Sequence, residues 1–444
     1  MTNKDEFIKN YIHALSSCKT EREWVQEAET IAIQHGFSKF NAANNYKPGD
    51  KVYFVNRKKN FAAFVFGKQN NYANLLGAHI DSPRIDVKQQ PLYESDNIAY
   101  FDTQYYGGIK KYQWTTIPLA IHGVVCKANG DLINVNIGEN PNDPIFCITD
   151  LLPHLNRTDM SKATAEDFIK GEKLDIIVGT TAIDEKTDAL DVKGKELVKQ
   201  YILNYLKENW MIEDEEDFCS AELEIVPAGP ARYSGLDKSL VAGYGQDDRV
   251  CAYTSLMALM DLTETPEHTA GVILVDKEEI GSCCNTGAKS RWFEDILRII
   301  FNPDSEAIFA TNLYNTKMLS SDVTAAYDPL YGDAYDKKSS AKFGKGIMFS
   351  KYNGGRGKSG GADANPEFVA YVRGLMKDNG CTYQFDSLGK VDQGGGGTIA
   401  SLVAALNINV LDAGVPVLNM HAPMELAHVD DIYSAYKAYM TFIK

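Results

Sequence analysis

The 444-residue chain has no long apolar run. Its longest, such as residues 61–66 and 402–405, fall far short of the roughly 20 residues a bilayer-spanning helix needs. It has no excess of positive charge either. Asp and Glu number 60 against 45 Lys and Arg, a formal net charge of −15. Its mean field therefore repels nucleic acid and anionic membranes, and neither is expected as a partner. None of the eight cysteines forms a C-x-x-C pair, and Cys283 and Cys284 are adjacent. That argues against a thiolate zinc cluster and against a secreted disulfide framework, leaving buried free thiols as the expectation. The opening MTNKDEFIKNYIHALSSCKT has no apolar stretch followed by a small-residue cleavage site. It reads as an amphipathic helix with Phe7, Tyr11 and Leu15 on one face, and a cytoplasmic location is expected.

What is present is an ordinary globular composition, 44% hydrophobic and 24% charged, on a chain longer than one core usually serves. Residues 1–90 read as a helix followed by short strands at 51–56, 61–66 and 74–80. Strands at 120–126 and 132–137 follow, then a charged helix near 164–172, a strand at 174–178, a helix near 195–210 and a strand at 221–227. Pro-Ala-Gly-Pro at 227–230 marks a joint. Beyond 240 helices alternate with apolar strands. Helices are expected at 250–261, 291–301, 367–378, from about 397, and at 429–443, with strands at 270–275, 306–311, 381–385 and 407–412. The expected fold is α/β, a mixed, largely parallel sheet with helices on both faces.

Five segments carry metal-binding chemistry. GAHIDSPRIDVK (77–88) puts His79 and Asp81 two apart at a strand end, on one face of an extended chain. A ligand imidazole needs its second nitrogen oriented, and Asp81 suits that task; a surface pair is the plainer reading. GYGQDDRVCAYTSL (243–256) sets Asp247 and Asp248 before a helix, as caps or as a cation-bridging carboxylate. ILVDKEEIGS (273–282) ends an apolar strand in Asp276, Glu278 and Glu279. In a regular strand the two glutamates point to opposite faces. At a strand end one can turn to a metal and the other to a water within hydrogen-bond reach. LSSDVTAAYDP (319–329) presents Asp322, and NMHAPMEL (419–426) presents His421; alone, each is also a polar loop residue. Five nitrogen and oxygen ligands on five segments, with no cysteine, fit a two-metal hydrolase at the carboxyl edge of a parallel sheet.

These segments, with YYGGIKKYQW (105–114), LLPHL (151–155) and GGGGTIA (394–400), resemble the aspartyl aminopeptidase-type family of dinuclear zinc aminopeptidases, in the family's order and over nearly the whole chain. The resemblance implies that His79 and Asp322 bind one zinc and Glu279 and His421 the other. Asp247 bridges them, and Asp248 belongs to an unusual peptide link after it. Glu278 is the general base, and Asp81 orients His79. Two Zn2+ per subunit are implied, with Co2+ or Mn2+ as alternatives. The implied organisation is a catalytic domain (1–92 and 234–444) interrupted by a β-rich inserted domain (93–233) that makes dimer contacts and shapes the entrance. The implied assembly is a tetrahedral dodecamer acting on peptides with free amino termini. His154 matches a family histidine that reaches a neighbour's active site, although packing or capping also accounts for a lone histidine.

One segment departs from the family. Where members often carry a tyrosine that polarises the scissile carbonyl, KYNGGRGKSGGADAN (351–365) is glycine-rich with Lys358 at about that place. Lys351 and Lys358 are candidate substrate-binding cations, as carbonyl polariser or as ligands for an acidic side chain. The family contains enzymes preferring acidic and others preferring neutral N-terminal residues. Three other readings compete: a nucleotide site on GGRGKSGG, which lacks the first Walker glycine because Tyr352 stands there; a non-catalytic assembly or cargo protein keeping the fold; and a two-metal deacylase.

Overall fold

The computed structural model describes residues 3–156, 162–183 and 196–444. They divide into two compact units: Met1–Ser82 with Ala231–Met420 and Met424–Lys444, and Pro83–Pro230 with His421–Pro423.

The first unit is built on a nine-stranded mixed sheet. In spatial order its strands are Ser38–Lys39, Lys51–Asn56, Asn60–Val65, His268–Val275, Gln69–His79, Lys317–Ser320, Asn409–Gly414, Ile347–Ser350 and Tyr383–Asp386. The four strands from His268–Val275 to Asn409–Gly414 run parallel. Strand pleating explains why their sequences read as unbroken apolar runs, since alternate residues feed different cores. Ala73 and Leu75 pack with Phe293, Ile296 and Leu297. Leu76 and Ala78 pack in the other cluster, with Tyr11, Leu256 and Tyr436. Helices thus cover both faces, as expected. A second sheet of five short strands, Arg232–Ser234, Leu240–Gly243, Glu425–His428, Pro416–Leu418 and Thr324–Ala325, belongs to the same unit.

The second unit carries a six-stranded antiparallel sheet, ordered Leu132–Ile137, Leu119–Cys126, Ala221–Pro227, Arg84–Ser95, Ile98–Tyr106 and Ile176–Gly179. Its helix, Leu197–Trp210, buries Val198, Ile202 and Leu206 at i, i+4 and i+8 spacing.

The first helix, Lys4–Ser17, buries Phe7, Tyr11 and Leu15, and the last covers Val429–Ile443. Elsewhere the structure corrects the sequence expectations. Residues 306–311 are not a strand but the start of the helix Glu306–Asn315. Ser305 caps it, and Phe309, Asn312 and Leu313 supply a helical stripe. Residues 164–172 hold turns and a 3-10 turn at Gly171–Lys173, not an α-helix. The Thr164 hydroxyl accepts from the Asp167 amide at 3.3 Å and donates to its carboxylate at 2.7 Å, a local bond that competes with helix. A second helix, Glu21–Gln34, precedes the strands, opened by a capping box between Thr20 and Glu23. The helix expected from Gly397 begins only at Ala400. Lys195, the expected first residue of the helix near 195–210, lies outside the described residues. All eight cysteines are free thiols, but only Cys18 and Cys251 are buried. Among the described residues no helix is long and apolar enough to cross a membrane.

Candidate metal and active site

Three parallel strands deliver the candidate ligands to one sheet edge. Val275 is the register partner of His79, and Ser320 that of Gly77. Asp322, two residues past Ser320, is therefore level with His79, two residues past Gly77. Two overlapping ligand clusters result: His79, Asp247 and Glu279, and His79, Asp248 and Asp322. In each, one ligand atom per residue lies within 4.8 Å of the others.

His79 is buried, its Nε2 3.2 Å from Asp247 Oδ1. Its Nδ1 lies 2.9 Å from the Asp81 carbonyl and 3.3 Å from Asp81 Oδ1. Nδ1 thus has the partners that fix a ligand imidazole, leaving Nε2 toward the cluster. Asp81 has a second task that was not legible in the sequence. Its Oδ1 accepts from the Glu278 amide at 3.1 Å and its Oδ2 from the Glu279 amide at 3.2 Å. The two glutamates occupy a short 3-10 turn, Glu278–Ile280, between left-handed Lys277 (φ 64°) and Gly281 (φ 89°). The pleat has ended there, so alternation no longer sends them to opposite faces.

Asp247 and Asp248 are buried and joined by a cis peptide bond. The Asp247 amide donates to Glu425 Oε2 at 3.0 Å, and Ser82 Oγ donates to the Asp247 carbonyl at 2.7 Å. Gly245 precedes them at φ 73°, where a Cβ would stand 2.4 Å from Arg249 Nη1. Arg249 is fully buried and donates to the carbonyls of Ile80 (3.2 Å) and Lys19 (2.7 Å).

The electrostatics favour a cation. Burial raises the Asp248 carboxyl well above the usual range. Asp322 is raised for the same reason, with the charges of Asp248, Asp247 and Glu278 adding to it. Burial alone would lower His79, yet its bonds to Asp247 and Asp81 raise it well above an ordinary histidine. Carboxylates this close repel when ionised, and a divalent ion removes that penalty. An oxygen-rich donor set with one or two imidazoles suits zinc.

Sequence reasoning missed Glu425 and Arg249, and it named Asp276 at the strand end without giving it a role. Asp276 is fully buried and accepts from Thr286 Oγ1 at 2.7 Å and from Lys277 Nζ at 2.8 Å. Burial raises its carboxyl, helped by Glu21 and Asp81 and opposed by Lys59 and Lys277. It braces the strand exit that carries Glu278. The signal was available, because an acid inside an apolar strand end needs buried partners.

The remaining candidates lie outside the two clusters. His421 belongs to the second unit, at φ 64°. Its Nδ1 lies 2.8 Å from the carbonyl of Gly108, in the YYGGIKKYQW segment, which makes Nε2 the lone-pair nitrogen. His154 is exposed in a turn of the second unit. Lys351 and Lys358 both pair with Asp363, the latter at 2.7 Å. The Gly-Lys-Ser run at 357–359 sits in a turn, and the next helix starts only at Pro366. It therefore has no helix amino terminus for phosphate.

Comparison with known proteins gives the chain its family. Residues 14–443 match the family described as aminopeptidase I zinc metalloprotease (M18). The chain is 48% identical to a probable M18 family aminopeptidase 1 of Clostridium acetobutylicum, over 98% of this chain and 93% of that one. The crystal structure of an M18-family aminopeptidase from Thermotoga maritima superposes with a TM-score of 0.94 at 44% identity, covering 99% of this chain and 96% of that one. The more distant Saccharomyces cerevisiae mApe1 dodecamer shares the fold, with a TM-score of 0.76 at 21% identity and coverages of 99% and 96%. A family match over nearly the whole length, on a chain whose strand ends gather histidine and carboxylates, makes this protein a member of the M18 family of zinc aminopeptidases.

Proposed function

We propose that the enzyme removes N-terminal residues from peptides through a two-zinc site with Glu278 as general base. His79 and Asp322 would hold one zinc, Glu279 and His421 the other, and Asp247 would bridge them. Four of these five donors, His79, Asp247, Glu279 and Asp322, fall into the two clusters that share His79, and this observation carries the reading. When bound, the zinc pair supplies a polarised scissile carbonyl and an acidified water.

The chain's own residues do the rest. Asp81 fixes the His79 ring and the amides of Glu278 and Glu279 together, so the base and its neighbouring ligand are set by one carboxylate. Glu278 takes the proton from the attacking water and returns it to the leaving amine, ending as a carboxylate again. A free substrate α-amine is required as a ligand, so N-acetyl peptides are not cleaved. A tetrahedral dodecamer is proposed with this activity, supported by the family resemblance and by the dodecameric state of the distant relative. Light scattering should then give about twelve times the 49.2 kDa chain mass.

The experiment is Glu278→Gln, assayed on free and N-acetylated peptides with zinc content measured alongside. The variant should keep its zinc while turnover falls by about 10²–10⁴-fold or more. Retention of most of the turnover would remove Glu278 from the role of base.

A further inference from the structure

Cys283 and Cys284 are adjacent and follow closely on the turn that carries Glu278. Neither is among the proposed zinc ligands. Both are free thiols, Cys284 exposed and Cys283 half-buried.

The backbone around them is tightly knit. The Gly281 amide donates to the Glu278 carbonyl at 2.8 Å and the Ser282 amide to the Lys277 carbonyl at 2.6 Å, closing the turn that holds the glutamates. On the other side the Gly287 amide donates to the Cys283 carbonyl at 3.1 Å, and the Lys289 amide to the Ser282 carbonyl at 3.1 Å. A Cβ on Gly287 would stand 2.3 Å from that Cys283 oxygen, so only glycine permits the approach. Ser282 (φ 56°) and Cys284 (φ 60°) are both left-handed, a conformation uncommon outside glycine. The peptide joining the two cysteines thus lies between bonded ends and cannot change shape without loading the Lys277–Ser282 bond.

The two thiols are not equivalent. Partial burial raises Cys283 above an ordinary cysteine, the neighbouring Cys284 thiol adds to this, and the Lys277 ammonium opposes it. An oxidant arriving from solvent meets exposed Cys284 first, with Cys283 next to it as the resolving thiol. Adjacent residues hold their Cα atoms about 3.8 Å apart across a trans peptide, closer than the roughly 4.4–6.8 Å of most disulfides. Ring closure here therefore strains the backbone on either side, and a strained, exposed disulfide is easily reduced again.

We propose that Cys283 and Cys284 are a modification site for hydroperoxides, where a disulfide between them deforms the Lys277–Ser282 turn and reversibly slows turnover. The effect on turnover rests on the aminopeptidase reading above; the oxidation does not. With hydrogen peroxide, the Cys284 thiolate attacks one oxygen, forming an S–O bond as the O–O bond breaks, and the other oxygen leaves as hydroxide. The Cys283 thiolate then attacks the Cys284 sulfur, forming the S–S bond as the S–O bond breaks and a second hydroxide leaves. Both sulfurs are oxidised, the peroxide is reduced, and the two thiol protons end in two waters.

The test treats the zinc-loaded enzyme with hydrogen peroxide and follows kcat, KM, zinc content and peptide masses. Cys126 and Cys219 are also exposed, so the mass is read on the peptide holding residues 278–289. That peptide should lose two hydrogens. The kcat should fall about three- to thirtyfold, the range for weakening one or two turn hydrogen bonds, with zinc retained. Dithiothreitol should restore both mass and rate. Cys284→Ser should keep its rate in peroxide, and Cys283→Ser should stop at a Cys284 sulfenic acid that dimedone traps; Cys284→Ala repeats the test should the serine variant fold poorly. No disulfide in that peptide while other cysteines oxidise overturns the site. A disulfide that leaves kcat unchanged, or equal slowing of Cys284→Ser, overturns its hold on the turn. No amino-acid release by the untreated enzyme overturns the aminopeptidase reading instead, and the peptide mass still decides the dithiol.

Discussion

Replacing Asp81 with Asn tests whether one carboxylate sets the geometry of both glutamates. The swap conserves shape and leaves the Asp81 carbonyl facing His79 Nδ1, 2.9 Å away. It removes one of two amide–carboxylate bonds, at 3.1 and 3.2 Å, and turns an NH2 group toward an amide N–H. A hydrogen bond to a charged group is worth about 1.5–3 kcal/mol, and an unsatisfied buried donor costs about 1–3 kcal/mol. The two together come to about 2.5–6 kcal/mol. At about 1.4 kcal/mol per tenfold, kcat/KM should fall about 60- to 20,000-fold if the distortion falls on the turn holding Glu278. The fall should appear mainly in kcat, because the ring of His79 keeps its backbone partner and zinc occupancy should change little. Steady-state kinetics with metal analysis of the same sample decides this. If Asp81→Asn stayed within about threefold of wild-type kcat/KM, the turn would hold itself and Asp81 would be dispensable to it.

Two further outcomes follow from the buried charges. Burial pushes the Asp386 carboxyl up to about 6, against the hydroxyls of Ser350 and Thr324 that hold it down. The folded state therefore keeps its proton where the unfolded state has lost it, so stability falls as pH rises from about 4 to about 6, by up to roughly 3 kcal/mol, and levels off above. Thermal melts across that range should show a shallower decline for Asp386→Asn than for wild type; parallel curves would assign the slope elsewhere. Chelation should lower Tm and abolish activity together, with zinc restoring both, because a ligand that binds only the folded state stabilises it. A Tm indifferent to chelator would show that the carboxylate cluster does not rely on an ion.

Much of the chain's architecture was written locally. The apolar runs at 270–275 and 407–412, the stripe Phe7, Tyr11 and Leu15, and the final helix at 429–443 each carry their own period, and each forms an element close to its expected bounds. Where local signals competed, caps and turn bonds decided. The run at 306–311 has a strand's composition, but Ser305 and the spacing of Phe309 and Leu313 make it helical. Thr164 supplied a turn where charge patterning suggested a helix.

The site divides the same way. Residue type and position singled out His79, Asp247, Glu278, Glu279, Asp322 and His421, because an acid or histidine at the mouth of an apolar strand or before an apolar helix is expensive unless it has a task. What the sequence by itself determined is thus the chemistry on offer and the strands that carry it. Only the tertiary structure decided which groups meet. The two bonds from Asp81 to the Glu278 and Glu279 amides, the hold of Glu425 on Asp247, and the capture of Lys351 and Lys358 by Asp363 each join the chain to itself in space. Asp81 and Glu278 stand 197 residues apart, and no local pattern encodes a partner at that distance. Strand register encodes it, and register exists only once the sheet has formed.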